Sequence, residues 1–206
     1  MNETLTSTES GSVQGRQLLA DIAGMNLDFI RLLQQLSCTI TDDRALLSMP
    51  SAQAMQLGQL SQTAQRRLAR SGVTLFDLRF GDRDFWQSIF DGKEPERYRC
   101  TCIDAGQDLV EIQLFILGAL LLLRHIAIHN RFVACLGFSV DDTFLDRYLQ
   151  LESRRLRQIA ASCPGLLQSR PHGSDDAWGE LMRLARRTDG QPLLPARMLG
   201  YQHMEG

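Results

Sequence analysis

The feature that most constrains this chain is an unbroken apolar run, LFILGALLLL, at residues Leu114–Leu123. Gln113 precedes the run and Arg124 follows it, so the run is ten residues long. About 20 apolar residues are needed to cross a bilayer, and this run is too short. We therefore expect a helix over Asp108–His129 that is buried in a core or an oligomer interface, and no membrane contact.

Apolar residues recur at helical spacing along most of the chain. Over Gly15–Ser37 they recur every three or four residues, the period of a helix with an apolar stripe. Shorter helices are predicted over 52–60, 63–70, 85–90, 139–162 and 175–187. The predicted fold class is mainly α, a helical bundle.

One segment breaks the helical pattern. Thr74–Phe80, TLFDLRF, alternates in part and is rich in β-formers, which predicts one short strand near 73–80. A second short strand at 98–103 would complete a hairpin. Because side chains alternate along a strand, we expect one set to face the helices (Phe76, Leu78, Phe80) and the other to face outward or toward a second copy (Leu75, Asp77, Arg79).

Two helix starts carry capping signals. Asp84 is placed to cap the helix over 85–90. Ser139 and Asp142 form a Ser-x-x-Asp box that opens the helix over 139–162. With the preceding helix and a turn at Gly137, this predicts a candidate helix-turn-helix in the C-terminal half. The alternative is a core helical hairpin with a solvated basic face.

The polar sequence DGKEPE at residues 91–96 is the best candidate for a boundary between two halves. The predicted organisation is a disordered lead-in over 1–14 and a helical domain over 15–92. A second helical domain covers 97–168, followed by a linker, a short helix and a tail over 169–206. The lead-in is predicted because its residues are polar and acidic.

Composition limits the classes of function. The net charge is −2 and the isoelectric point is near 6.1, so the chain does not coat nucleic acid through charge alone. Any DNA contact must be local or shared with a partner. An odd number of cysteines, five, without a signal peptide predicts reduced thiols and a cytoplasmic location.

Motifs for catalysis are missing from the sequence. It has no glycine-rich phosphate loop, nucleophile elbow or His-Glu-x-x-His sequence, so we expect neither an enzyme nor a cofactor. Cys100-x-Cys102 with His125-x₃-His129 is a candidate zinc site, because histidines four residues apart share a helical face. The cysteines are closer than the usual two-to-four-residue gap, so free thiols and no metal are expected.

Residues 15–90 resemble the FlhD family, the flagellar master-regulator subunit. The likeness lies in Met25-Asn26-Leu27 and Gln35-Leu36 of the first helix, and in Leu78-Arg79-Phe80 at the end of the strand. Phe85-Trp86 resembles an aromatic pair that some members carry. The sequence departs from the family in two ways: residues 91–206 extend beyond it, and Phe76 replaces the family's strand cysteine, so no disulfide is expected.

The resemblance implies a bacterial transcription activator subunit that acts on promoter DNA in an oligomeric complex. Its partners would be further copies of itself and an FlhC-like protein, and residues 111–162 are weakly similar to the N-terminal part of the FlhC subunit. The alternative function is a helical adaptor or anti-activator that does not bind DNA. Such a protein would use the Leu114–Leu123 face to bind a protein partner.

Two sets of site residues follow. Arginines are the candidates for DNA binding, although solvated helix faces carry the same charges: Arg66, Arg67, Arg70, Arg79, Arg83, Arg131, Arg154, Arg155 and Arg157. Apolar residues dominate the candidates for an oligomer interface, although ordinary core packing gives the same pattern: Leu18, Ile22, Met25, Phe29, Leu32, Leu36, Phe76, Arg79, Leu117 and Leu121.

Overall fold

The structure, a computed structural model, describes residues 4–39, 47–95, 98, 106–170 and 177–187. Side chains are described from residue 13 onward, except at 38, 39 and 51. Within these ranges the chain forms nine α-helices, one 3-10 turn and two short strands. The predicted mainly α fold with a short strand is confirmed.

The elements follow one another in this order: α1 (Thr4–Thr39), α2 (Ser51–Gly58), α3 (Gln62–Ala69), β1 (Phe76–Asp77), α4 (Arg83–Phe90), α5 (Gln107–His129), α6 (Arg131–Phe138), α7 (Asp142–Leu149), α8 (Ser153–Ser162), the 3-10 turn (Pro164–Leu166), β2 (Gln168–Ser169) and α9 (Ala177–Arg186).

Helix α1 packs against four other helices, namely α2, α3, α5 and α6. Its stripe is fully buried at Ile22, Phe29 and Leu33. The helix starts at Thr4, inside the stretch where the sequence predicts a disordered lead-in. No proline interrupts residues 4–14, and each residue added to an existing helix gains one backbone hydrogen bond.

The two strands pair antiparallel, with Phe76 opposite Ser169 and Asp77 opposite Gln168. The strand partner therefore comes from the end of the second predicted domain and the start of the predicted linker. The candidate strand at 98–103 lies outside the described residues beyond Tyr98. The outward orientation predicted for Leu75 is wrong: it is buried, and its N–H donates to the Asn26 side chain in the core.

The predicted capping residues need correction. Asp82, rather than Asp84, caps α4 by accepting from the Phe85 N–H at 2.9 Å. Asp141 caps α7 by accepting from the Phe144 N–H at 2.6 Å. Ser139 adopts a left-handed conformation with φ +52° and ends α6, so it opens no helix.

The single helix predicted over 139–162 is two helices, α7 and α8. The chain leaves the helix at Gln150–Glu152, where the Leu151 carbonyl accepts a hydrogen bond from Arg124 of α5. The buried Tyr148 hydroxyl also donates to the Leu120 carbonyl of α5, at 2.6 Å. These two hydrogen bonds to α5 thus hold the segment in which the helix is interrupted.

One hydrophobic core includes residues from both sides of the predicted boundary at 91–96. Phe76 lies at its centre, with ring centroids 5.6 Å from Phe29, 4.9 Å from Phe115 and 6.3 Å from Phe138. Because α1 packs on α5 and α6, the two predicted domains share their interior.

Helix α5 is longer than the apolar run that lies inside it. It has 23 residues and a window of mean hydropathy 1.9, so its length and composition allow a membrane span. Within the fold, 39% of that window is buried, and the helix packs against α1, α6 and α8. Core helices of soluble proteins pass the same test, so length and composition alone assign no membrane.

Candidate functional site

The start of helix α3 is fixed by its N-cap, and its orientation is fixed by its buried face. The Ser61 hydroxyl accepts from the Ala64 N–H at 3.3 Å and starts the helix. Ala64 and Leu68 are buried, and α3 packs on both α1 and α9. Gly72 has φ +82°, and it ends this segment in the left-handed conformation that favours glycine.

Asn26 of α1 fixes the chain between α3 and β1. Its amide donates to the Ala69 carbonyl at 2.9 Å and to the Val73 carbonyl at 2.8 Å. Its side-chain oxygen accepts from the Leu75 N–H at 2.8 Å. The sequence-based prediction includes Asn26 only as part of a family motif and does not assign it this structural role. An amide residue inside the apolar stripe of a helix could have indicated the role.

Packing of α9 on α3 brings two groups of arginines to neighbouring helices. We call them the α3–α9 arginine surface: Arg66, Arg67, Arg70, Arg183, Arg186 and Arg187. All are exposed except the half-buried Arg67. Arg183 pairs with Glu180 at 2.6 Å, whereas no ion pair joins the other five to any described residue. On these two neighbouring helices and their flanking residues 70 and 187, arginines therefore outnumber the one described carboxylate, Glu180, in a chain with a net charge of −2.

The arginines of α3 were among the predicted DNA-binding residues, whereas those of α9 were not. The tetrapeptide Arg-Leu-Ala-Arg occurs twice, at 67–70 and at 183–186, and this repetition was the available signal. Gln62–Ala69 contains no aspartate or glutamate. In the sequence the acidic pair Asp175-Asp176 precedes α9, whereas the arginines follow at 183, 186 and 187.

Helices α2 and α3 have eight residues each, and Gln59-Leu60-Ser61 joins them. Leu60 is buried and anchors this turn, while α1 packs against both helices. On α3 the exposed side chains include Gln62, Thr63 and Arg66. Two short helices joined by a three-residue turn are typical of the helix-turn-helix motif, in which the second helix carries the contacts to bases.

Arg79 was predicted in both candidate sets, and its contacts lie within the chain. Its Nε donates to the Gly165 carbonyl at 3.2 Å, and its guanidinium lies 4.9 Å from the centroid of the Tyr98 ring. Its own carbonyl accepts from the Trp86 indole N–H at 3.0 Å. The backbone of Arg79 has φ +50°, an uncommon conformation for a residue other than glycine.

The other candidate arginines are scattered over α4, α6 and α8. Arg131 pairs with Asp142 at 3.0 Å and Asp146 at 2.8 Å, and these hydrogen bonds raise its pKa. Arg155 donates to the Lys93 carbonyl and to Gln158. Three arginines are exposed and form no ion pair with a described residue: Arg83, Arg154 and Arg157.

The helix-turn-helix predicted in the C-terminal half is not confirmed. Its second helix would be α7, which starts with three aspartates within six residues: Asp141, Asp142 and Asp146. These carboxylates would meet phosphates at the end of the helix that enters a groove. Arg131 offsets only part of this negative charge.

The predicted interface residues fall into two groups. Six are buried within the chain: Leu18, Ile22, Phe29, Leu32, Leu36 and Phe76. Met25 and Leu117 are partly buried, and Leu121 is 43% exposed. Further apolar side chains on α5 are also exposed, namely Val110 (51%), Leu114 (58%) and Ile128 (65%). We call Val110, Leu114, Leu117, Leu121 and Ile128 the α5 seam.

Within the described residues, no group of three or more histidine, cysteine, aspartate or glutamate side chains is placed to hold a metal ion. The rings of His125 and His129 lie with centroids 4.3 Å apart. Cys100 and Cys102 lie outside the described residues. Burial raises the pKa of the Cys163 thiol to about 11 and also raises the pKa of Cys135.

No protein family, curated protein or solved structure matches the chain. The resemblance to the FlhD family therefore depends on short motifs, and the function must be argued from the two surfaces.

Proposed function

We propose that this protein is a DNA-binding subunit of a transcription activator and that the α3–α9 arginine surface binds the phosphates. The observation that carries the proposal is the packing of α9 on α3. It places arginines from distant parts of the chain on adjacent helices. In a chain of net charge −2, such a cluster meets the requirement that any DNA contact be local.

In the proposed mechanism, α3 enters the major groove as the second helix of the α2–turn–α3 segment. Arginine and glutamine make paired hydrogen bonds to guanine and adenine edges, and a threonine methyl contacts thymine. Gln62, Thr63 and Arg66 are the exposed α3 side chains of these types. Arg70, Arg186 and Arg187 then hold phosphates and fix the position of the helix.

A purely structural role for these arginines gives different expectations. Arginine near the C-terminal end of a helix stabilises it by about 0.3–1 kcal/mol through the helix dipole. Both α3 and α9 carry arginine in their last turns. If this is their only role, removing the charges lowers thermal stability slightly and leaves DNA affinity unchanged.

The partners in the proposal come from the resemblance. An FlhC-like protein and further copies of this chain would complete the complex on promoter DNA and add phosphate contacts. The proposed site of action is the bacterial cytoplasm, and the proposed mechanism includes no catalytic step and no cofactor.

The second candidate function is a helical adaptor or anti-activator. Exposure of the α5 seam favours it, because an apolar helix face is a common binding surface for a protein. An adaptor of this kind needs no arginine surface and shows no salt-dependent binding to DNA.

The test is fluorescence anisotropy with duplexes from promoters near the gene, with and without the co-expressed product of a neighbouring gene. Arg66→Gln/Arg70→Gln removes two charges from α3. Arg31→Gln/Lys93→Gln removes two exposed charges elsewhere and serves as the matched control. We expect the α3 variant to lose affinity by about tenfold or more, and the control to change little. Equal affinity for the two variants contradicts the proposal.

A further inference from the structure

The α5 seam has the spacing of a helix that packs on another helix. Its residues follow one another in steps of four, three and four from Val110 to Leu121, and then Ile128 lies one heptad after Leu121. A repeat of 3.5 residues keeps one narrow stripe facing a partner helix. The opposite face is buried against this chain at Ile112, Ile116 and Leu123.

We propose that the α5 seam is a dimer interface, in which the α5 helix of a second copy packs antiparallel against it. The proposal is independent of DNA binding, because the arginine surface lies on α3 and α9. A symmetric pair buries the same stripe from both copies. This suits a seam in which Leu117 is partly covered by the core of this chain and the other four side chains are exposed.

Charge decides the orientation. The first two turns of α5 carry Asp108 and Glu111, whereas Arg124, His125 and His129 lie in the last two turns. In a parallel pair, Arg124 would face the same residue of the other copy across the apolar stripe. In an antiparallel pair the acidic end of each helix lies beside the basic end of the other. The two helix dipoles then point in opposite directions, which is also favourable.

The antiparallel register follows from matching the seams. Leu117 of each copy lies opposite Leu121 of the other, and Val110 lies opposite Ile128. This register places Glu111 beside His125 of the other copy on the same flank of the stripe. The Arg124 guanidinium already donates to the Leu151 carbonyl, so its aliphatic stem remains to cover Leu114.

The first test is the mass of the full-length protein by light scattering and sedimentation at micromolar concentration. We expect twice the chain mass of 23.2 kDa. Leu114→Asp/Ile128→Asp should give a monomer with unchanged helical circular dichroism. Met55→Asp changes an equally exposed apolar residue, 60% exposed on α2, and should remain a dimer.

Two outcomes of this test overturn the proposal. One is a monomeric parent protein, and the other is a seam variant that remains a dimer. If the monomeric parent also binds vesicles of neutral phospholipid through α5, the seam is assigned to a membrane surface instead.

The second test determines the relative orientation of the two α5 helices. The double variant Val110→Cys/Ile128→Cys is treated with oxidised glutathione, and the disulfide-linked peptides are identified by mass spectrometry. Within one helix these positions are about 27 Å apart, at about 1.5 Å per residue. A disulfide requires Cα atoms about 6 Å apart, so a 110–128 link must join two copies. We expect that link. Links only between equal positions would overturn the antiparallel arrangement.

Discussion

Asn26 is an amide within the buried stripe of α1, and three backbone groups between α3 and β1 depend on it. Asn26→Leu removes all three partners while it keeps an apolar side chain of similar size. Each buried group left unpaired costs about 1–3 kcal/mol, so we expect a loss of about 3 kcal/mol or more.

Urea unfolding measures this loss. The control is Gln34→Leu, because the Gln34 amide makes only a long surface hydrogen bond of 3.4 Å to the Gly58 carbonyl. An Asn26→Leu protein as stable as its parent would contradict the account of this turn.

Arg79 joins the end of β1 to the 3-10 turn and stacks on Tyr98. Arg79→Ala removes a hydrogen bond from a charged donor and should lower the free energy of unfolding by about 1.5–3 kcal/mol. DNA affinity of the folded fraction should stay the same. Arg83→Ala, at an exposed position without a described ion pair, is the control for stability. Weaker DNA binding with unchanged stability would instead make Arg79 part of the DNA surface.

Cys163 is buried, and its pKa is raised from 9.0 to about 11. The neutral thiol is therefore favoured in the folded protein, and iodoacetamide at pH 8 should leave Cys163 unmodified until the protein is unfolded. Because the folded pKa is above the unfolded value, the folded state holds the proton more tightly, and stability falls as pH rises from about 9 to about 11. Peptide-level mass spectrometry checks the labelling, and rapid modification of Cys163 in the native protein would contradict it.

Helices α1 and α6 approach each other closely at Gly137. A Cβ atom there would lie 2.8 Å from the Cδ1 of Ile22, so Gly137→Ala should cost about 1–3 kcal/mol through overpacking, offset by about 1 kcal/mol from replacing a glycine within a helix. Ile22→Val removes that Cδ1 atom and should restore part of the loss in the double variant. Gly24→Ala, where a Cβ would meet nothing within 4 Å, should be neutral or slightly stabilising.

A double-mutant cycle by urea unfolding measures the coupling between positions 22 and 137. Additive effects of Gly137→Ala and Ile22→Val would contradict the close approach, because residues in contact are expected to be coupled.

Helix α1 could be predicted because its apolar periodicity is long and regular, and α5 because it contains an unbroken apolar run. The break between α7 and α8 could not be predicted. It depends on two hydrogen bonds to α5, one from Arg124 to the Leu151 carbonyl and one from the Tyr148 hydroxyl to the Leu120 carbonyl. The partner of β1 was also missed, because Gln168–Ser169 is too short to show an alternating pattern. Local sequence predicts the elements, whereas contacts between distant segments decide where several of them end.

The whole molecule combines one shared core with two separate surfaces. The arginines of α3 were predicted from sequence, but only the fold shows that α9, which carries further arginines, packs on α3. Arg79 and Arg131 belonged to the same predicted set, yet Gly165, Asp142 and other partners within the chain satisfy them. Sequence identifies arginines, whereas tertiary packing decides which of them remain available to a ligand.

The proposed function requires that the α3–α9 arginine surface bind DNA phosphates, and the salt dependence of DNA affinity measures this binding. A plot of log affinity against log salt has a slope of about −0.9 for each phosphate neutralised. We predict a clearly negative slope for the parent protein, or for its complex if a partner is required. Arg66→Gln/Arg70→Gln should make the slope shallower by about 0.9, because Arg70 is the one of the two that is assigned to a phosphate. The control Arg31→Gln/Lys93→Gln should keep the parent slope. A parent without salt-dependent binding, or an α3 variant with the parent slope, would contradict the claim.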